Sequence, residues 1–368
     1  MFIHLADTHL GFSEFNKVDP KTGINQRESD VYEVFKWAVN YILKSKPKFV
    51  IHSGDFFETS RPPNKTISFA LVQIKRISQA KIPFIIISGN HSTPRMSVSG
   101  SIFESFKILP NIYPVYNGEY EKVKINEFLI HCIPHCSTEE MMKKNIKKAK
   151  PNKNYKNILV THAGITSSER SFETGEFNEQ KISKKIIQSK TFSYIALGHY
   201  HRFQKVAENA YFSGATERFS FRHARYKTGF LQIDIKNFKP KFVETPSRPM
   251  HHFNLNCKNE EAGKIIEEIK KIAKKCSKNS LTLVNVKNIK RDVWLSLDRN
   301  KISNLFSQVF LLDLRPSFYQ IGDGYHGKTS IDDLPIEFDN FVKSLKKSDS
   351  EKEKIRKIGI KYLNHVEI

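Results

Sequence analysis

Five short apolar runs, each ending in a polar cluster that carries aspartate, asparagine or histidine, constrain this chain more than any other feature. Phe2-Ile3-His4-Leu5 runs into Asp7-Thr8-His9, and Phe49-Val50-Ile51-His52 runs into Gly54-Asp55. Phe84-Ile85-Ile86-Ile87 precedes Gly89-Asn90-His91. Residues 158–161 lead to His162, and residues 194–197 lead to Gly198-His199-Tyr200-His201. Runs of this length, rich in β-branched and aromatic residues, read as buried strands. Between the first three, Val31, Val34, Phe35, Ala38, Val39, Ile42 and Leu43, and then Ile67, Ala70, Leu71, Ile74 and Ile77, recur at helical spacing. Strand, helix, strand, helix, strand implies a parallel sheet with helical crossovers, and so an α/β fold. Ligands of open α/β sheets bind outside the carboxyl ends of the strands. The five clusters therefore converge on one crevice.

The residue types in that crevice suit a dinuclear metal centre. Asp7 and His9 lie two apart on a chain leaving a strand, so both can reach one ion, and His199 and His201 share that spacing. Asp55 can bridge two cations, and imidazole suits manganese, iron or zinc. Two ions about 3.5–4 Å apart clamp a phosphate and ionise a bound water. A single histidine is ordinarily a satisfied core residue, and a lone D-x-H recurs by chance. Five such clusters, each behind an apolar strand, do not. Other histidines lack the pattern. His52 lies within a strand and reads as structural; His131 and His135 flank Pro134 and read as structural or peripheral; His251 and His252 lie past a boundary and read as unrelated. The GxGxxG and GxxxxGK[ST] phosphate loops are absent, so no nucleotide-hydrolysing motor is evident.

A chain of 368 residues exceeds what one core usually serves. A boundary falls near Ser247-Arg248-Pro249. Beyond it come Phe253-Asn254-Leu255, a helix carrying Ala262, Ile265, Ile266, Ile269, Ile272 and Ala273, and a strand from Leu281 to Val286. This small α/β unit is expected to end near Gly322 to Gly327. From about Lys328 the chain is charged, with Ile355, Ile358, Tyr362 and Leu363 as helical anchors. The expected division is 1–247, 248–325 and 326–368. Within the first part, residues 141–156 read as an exposed Lys-rich helix and loop, residues 167–179 as a mobile polar loop, and residues 230–235 as a half-exposed strand because Leu231, Ile233 and Ile235 alternate with Gln232 and Asp234.

Lysine and arginine number 60 against 38 acidic residues, a net charge of +22. That excess suits a polyanionic partner, since each neutralised phosphate releases counterions. A Lys-rich solubilising surface reads equally well, because the lysines are spread along the chain. Mean hydropathy of -0.47 and the lack of a long apolar run argue against a membrane protein, and no secretory leader is seen at the start. Cys132, Cys136, Cys257 and Cys276 form no C-x-x-C pair, which favours a reduced, intracellular protein over a zinc knuckle or disulfide framework.

The D-x-H, G-D, G-N-H, later single His and G-H-x-H motifs resemble those of the calcineurin-like metallophosphoesterase superfamily. Ala6-Asp7-Thr8-His9-Leu10-Gly11, Gly54-Asp55-Phe56-Phe57 followed by Ser60-Arg61-Pro62, Leu197-Gly198-His199-Tyr200-His201 and Ser213-Gly214-Ala215-Thr216-Glu217-Arg218 narrow the resemblance to SbcD and its relatives, the meiotic-recombination-eleven nucleases. It covers about residues 1–244 well and the following unit loosely.

The resemblance implies a central β-sandwich flanked by helices, a small α/β capping domain that grips DNA, and a C-terminal helical tail. It implies two divalent ions, manganese being expected. Asp7, His9 and His201 would hold the first, Asp55 would bridge, and Asn90, His162 and His199 would complete the second. His91 would stand beside the scissile phosphate as the catalytic histidine, or else orient a neighbour. The implied activity is DNA exonuclease and endonuclease cleavage in double-strand-break repair, in a cytoplasmic or nucleoid-associated homodimer with an SbcC-type, SMC-like ATPase docked on residues 328–368. One departure stands out. Where several family members carry a second phosphate-facing histidine, this chain has Glu58, whose carboxylate is expected to repel a phosphodiester unless Arg61 or Arg95 offsets it. Hydrolysis of small phosphodiesters or phosphoproteins, and a DNA-tethering scaffold with vestigial catalysis, are the competing readings.

Overall fold

Alternation along the strands decides which residues face which layer. In β1 (Phe2–Leu5), Ile3 and Leu5 pack among the helices, while Phe2 joins the apolar layer between two sheets. The computed structural model describes residues 1–19, 22–93, 100–166, 179–188, 191–319, 338–339, 341–343, 345 and 348–363. They form two compact units, Met1–Ser317 and Phe318–Ile368.

After β1, helix α1 (Gln26–Ser45) starts where the Asn25 side chain accepts the Arg27 N–H, and stops at Lys46 in the left-handed region. Val31, Phe35, Ala38, Val39 and Ile42 line its buried face at helical spacing. β2 (Val50–His52), α2 (Asn64–Gln79), β3 (Phe84–Ile87) and β4 (Ile112–Val115) follow. The second sheet is built from β5 (Glu121–Ile125), β6 (Phe128–Ile133), then α3 (Glu139–Lys148) and β7 (Lys156–His162). A two-stranded ribbon, β8 (Gly164–Thr166) with β9 (Lys181–Ser183), and the short α4 (Lys184–Ile187) precede β10 (Tyr194–Gly198), β11 (Gln204–Ala207) and β12 (Ala210–Phe212). The chain then returns to the first sheet as β13 (Gly229–Ile233) and β14 (Pro240–Glu244).

The first sheet runs β14-β13-β1-β2-β3-β4 and the second β11-β12-β10-β7-β6-β5. β1 to β4 are mutually parallel, as the crossover pattern requires, and so are β6, β7, β10 and β12. Phe2, Ile51, Ile85 and Leu231 of one sheet share a core with Ile130, Ile158, Val160 and Ala196 of the other. α1 and α2 cover the outer face of the first sheet. Met142 of α3 and Ile187 of α4 pack on the second through Leu159, Ile195 and Leu197. The fold is thus an α/β β-sandwich flanked by helices. Each fully buried aliphatic or aromatic side chain contributes about 1.5–3 kcal/mol to it.

One expectation is met only in part. Leu231 and Ile233 are buried while Gln232 is half-buried and Asp234 exposed, as the alternation predicts, but the strand ends at Ile233 and Phe230 is buried as well. β13 lies inside its sheet between β14 and β1, so Phe230 faces α1 while Leu231 and Ile233 face the other sheet. Residues 167–178 lie outside the described residues.

The rest of the first unit is a smaller α/β layer. β15 (Met250–Asn256), α5 (Ala262–Lys275), β16 (Leu281–Ile289), α6 (Arg291–Ser296), α7 (Arg299–Leu305) and β17 (Leu311–Phe318) make a three-stranded sheet in the order β15-β16-β17. Ile265, Ile269 and Ile272 of α5 close its own apolar core with Val284, Val286, Ile302 and Phe306. Arg248 ties this layer to α1. Its guanidinium donates to both Asp30 carboxylate oxygens, at 2.6 and 2.7 Å, and to the Asn279 carbonyl at 2.9 Å. In the second unit, α8 (Asp349–Leu363) carries Ile355 half-buried and Ile358 exposed, and Arg356 pairs with Asp339. The stretch expected to end the small layer, near 322–327, lies outside the described residues. Among those residues, no helix is long and apolar enough to cross a membrane. All four cysteines are buried free thiols.

Candidate metal centre

The loops leaving β1 and β2 are stitched together before any side chain is considered. Asp7 N–H donates to Gly54 O, His9 N–H to Asp55 O, and Leu10 N–H to Phe56 O, at 2.9–3.0 Å. The backbone bends sharply to bring side chains inward: Asp7, His9, Asp55 and His199 have φ of 51°, 45°, 50° and 107°. Non-glycine residues held there cost about 1–3 kcal/mol each and gather at functional sites. Gly54, at φ 106°, shows why glycine precedes Asp55. A Cβ at that position would stand 2.2 Å from His162 Nδ1.

Three groups of ligand atoms converge. Asp7, His9 and His201 form one, Asp7, Asp55 and His162 a second, and His9, Glu58 and His91 a third, with the donor atoms of each within 4.8 Å of one another. The Nε2 atoms of His9 and His201 approach to 3.1 Å. His162 donates from Nδ1 to Ser53 O at 2.9 Å, which turns Nε2 toward Asp55 Oδ2 at 3.1 Å and Asn90 Oδ1 at 3.0 Å. Such a bond from the far nitrogen fixes the tautomer a metal-ligating histidine needs. His199 stands with its ring 5.3 Å from that of His162. Its N–H donates to Asp7, and its Nε2 meets Glu179 Oε1 at 3.1 Å. His91 donates its N–H to Asp55 Oδ1 at 3.0 Å, and its Nδ1 meets the Glu58 carbonyl at 2.9 Å. All eight residues singled out in the sequence are thus gathered around one crevice. Nitrogen and oxygen donors aimed inward at this density fit divalent transition metals.

The electrostatics agree with a site built for cations. Burial raises the Asp7 carboxyl to about 6; His162 opposes the rise and Asp55 adds to it. Burial also works against the Asp55 charge, but His162 outweighs it and holds that carboxyl well below its ordinary value. For His162 burial opposes protonation, yet Asp55 raises the ring to about 9.

The remaining histidines divide as their positions suggest. His52 is buried and bonds Thr8 Oγ1 at 3.1 Å; burial lowers it well below the ordinary range. His131 lies between Tyr120 OH and Asn157 Oδ1. His251 and His252 bond Ser277 and Asn285 within the small α/β layer. Two carboxylates make contacts that the sequence did not suggest. Glu179 sits on His199, at the end of a stretch read only as loop. The Glu58 carboxylate contacts two histidines, with Oε2 2.8 Å from His9 Nδ1 and Oε1 3.9 Å from His91 Nδ1. Arg95 lies outside the described residues. A cavity of about 410 Å³ opens elsewhere, between α1 and residues 246–249, lined by Trp37, Glu217 and Arg248. It holds none of the clustered ligands.

Comparison with known proteins places this geometry. Proteins described as DNA double-strand break repair protein Mre11 are similar over about half of this chain. That of Methanocaldococcus jannaschii is 34% identical over 207 residues, 55% of this chain and 51% of its own length. Those of Methanococcus maripaludis and Sulfurisphaera tokodaii are 32% and 30% identical, over 55% and 54% of this chain and 51% and 48% of their own. The chain spans about half the length of these curated relatives. The family described as Calcineurin-like phosphoesterase matches residues 1–203, which include every strand end of the centre, and on that match and this fold the chain belongs to the calcineurin-like phosphoesterase family.

Proposed function

We propose that this chain is a dinuclear metal-dependent phosphodiesterase that cuts the DNA backbone, as exonuclease and endonuclease, in double-strand-break repair. The convergence of His9, His201, Asp7, Asp55, His162 and Asn90 donors in one crevice, with His91 on its rim, carries the reading. Asp7, His9 and His201 would hold one ion, Asp55 would bridge, and Asn90, His162 and His199 would hold the other. Two manganese ions held there would neutralise phosphate charge and supply an attacking water at neutral pH. His91, with Nδ1 engaged by the Glu58 carbonyl, offers Nε2 to stabilise the transition state or protonate the leaving oxygen.

Similarity to Mre11 repair proteins and the +22 charge support DNA as the substrate, gripped through phosphates without sequence reading. We assign residues 1–247 to the nuclease domain, 248–325 to a DNA-binding cap and 326–368 to a linker and docking segment. That segment would engage an SbcC-type ATPase, in an intracellular homodimer. The test is cleavage of labelled DNA with manganese by the wild-type chain, His91→Ala and Asp55→Ala. His91→Ala should keep its metal and lose about 10²–10⁴-fold in rate, while Asp55→Ala should lose both. Undiminished cutting by both variants refutes the site. Rapid turnover of small phosphodiesters without DNA binding at moderate salt refutes the substrate.

A further inference from the structure

We propose that Glu58 is a positioning residue for the metal centre, its carboxylate setting the His9 ligand and its backbone carbonyl setting His91. The inference rests on the metal-centre reading above. Glu58 Oε2 lies 2.8 Å from His9 Nδ1, and His9 is only 2% exposed while the Glu58 side chain is 28% exposed. A carboxylate only accepts at this contact, so the proton is on Nδ1 and the lone pair on Nε2. That Nε2 is the atom 3.1 Å from His201 Nε2. The carboxylate thus selects the tautomer in which His9 can bind a cation, and makes the ring a stronger donor.

The same residue acts a second time through its main chain. Its carbonyl accepts from His91 Nδ1 at 2.9 Å, while its own N–H donates to Leu10 O at 3.0 Å. The neighbouring Phe57 is fully buried, so the backbone here is anchored from both sides. The two roles are separable, because substitution removes the carboxylate and leaves the carbonyl in place. A histidine at this position could face a phosphate. This glutamate directs Oε2 at the His9 ligand, with Oε1 3.9 Å from His91 Nδ1.

The test is manganese binding to the full chain, followed by calorimetry and by the spin signal of the free ion. Thermal melting of the metal-free proteins shows that each variant folds. Wild type should bind two ions. Glu58→Ala should weaken one of the two about 10–100-fold and leave the other unchanged. Glu58→Gln keeps an acceptor for His9 Nδ1–H and should stay within about threefold of wild type by the same reasoning. A folded Glu58→Ala that binds both ions with wild-type affinity overturns the proposal. So does a Glu58→Gln that falls as far as Glu58→Ala, which would make direct ligation or bare charge the operative feature. A wild-type chain that takes up no ion overturns the metal-centre reading itself, an outcome distinct from either.

Discussion

Gly54→Ala tests the site at the point where backbone and ligand meet. Two costs can be separated. The first is conformational: Gly54 has φ 106°, where an L side chain is strained by about 1–2 kcal/mol. The second is steric. The new Cβ would lie 2.2 Å from His162 Nδ1 and 2.5 Å from its Cγ, where ordinary contact begins near 3.4 Å, so the ring must retreat by about 1.2 Å. His162 cannot do so and keep its 2.9 Å bond to Ser53 O, and its Nε2 leaves the position beside Asp55 and Asn90. A displacement of about 1 Å in a catalytic constellation costs on the order of 100-fold. Gly23→Ala is the control, because Gly23 also has positive φ, 66°, but nothing within 4 Å of a Cβ. It should pay the conformational cost alone. The assay pairs hydrolysis of bis(p-nitrophenyl) phosphate with manganese, metal content by elemental analysis, and thermal melting. Gly54→Ala should lose about 100-fold in rate and part of its metal, while Gly23→Ala keeps both. A Gly54→Ala protein with full metal content and rate would refute the steric reasoning, whatever its melting temperature.

Three further outcomes follow from the same structure. Arg27, 1% exposed, donates to Asp30 Oδ2 at 2.7 Å and to Arg218 O at 2.6 Å, beside the fully buried Glu217 carboxylate at 3.6 Å. Arg27→Met should destabilise by about 3–5 kcal/mol in urea unfolding, with partial recovery when Glu217→Gln is added; a loss under about 1 kcal/mol contradicts the buried-pair account. Burial lowers the His4 pKa from 6.5 to about 3 while Tyr194 OH and Ser53 Oγ hold its ring. Its folded state is neutral, so its contribution is complete above pH 6.5 and is lost as pH falls toward 3. Between pH 7 and 5 that loss is about 2 kcal/mol, and His4→Gln should show a stability–pH curve shallower by that amount. Finally, manganese at 100 times its dissociation constant should stabilise the chain by about 2.7 kcal/mol, reversed by chelator. A melting curve indifferent to both would speak against a metal centre in the folded chain.

What the sequence disclosed and what it withheld divide along physical lines. Strands β1, β2, β3, β7 and β10 were legible because each is a continuous apolar run buried on both faces, and α1, α2 and α5 because their buried residues repeat at helical spacing. The gathering of the candidate ligands was legible because each lies at or just beyond the end of such a strand, so local sequence carries the three-dimensional register. The burial of Phe230 in β13 was not legible. Gln232 interrupts the run, and the second face is covered by α1, distant in sequence, whose Trp37 and Tyr41 pack against Phe230. α6 and α7 escaped for a different reason: at six and seven residues they are too short for periodicity to emerge. Arg248 looked like a linker residue until the fold placed Asp30, 218 residues away, beneath its guanidinium.

Glu58 and Glu179 show where motif reading misleads most. Motifs mark residues that point at the ion, whereas the carboxylates that hold those residues come from any loop that passes behind them. Judged by its position next to the Gly54-Asp55 motif, Glu58 looked like a defect, a negative charge aimed at a negative substrate. Its Oε2, 2.8 Å from His9 Nδ1, gives that charge a second role. A carboxylate that accepts the Nδ1 proton of His9 makes the ring a stronger donor to a cation. Glu179 makes a related contact on His199, its Oε1 3.1 Å from Nε2 rather than Nδ1. Two histidines assigned to different ions thus each carry a carboxylate partner, one from a loop after β2 and one just before β9. With Ser53 O on His162 Nδ1, these contacts give three of the crowded rings a defined tautomer.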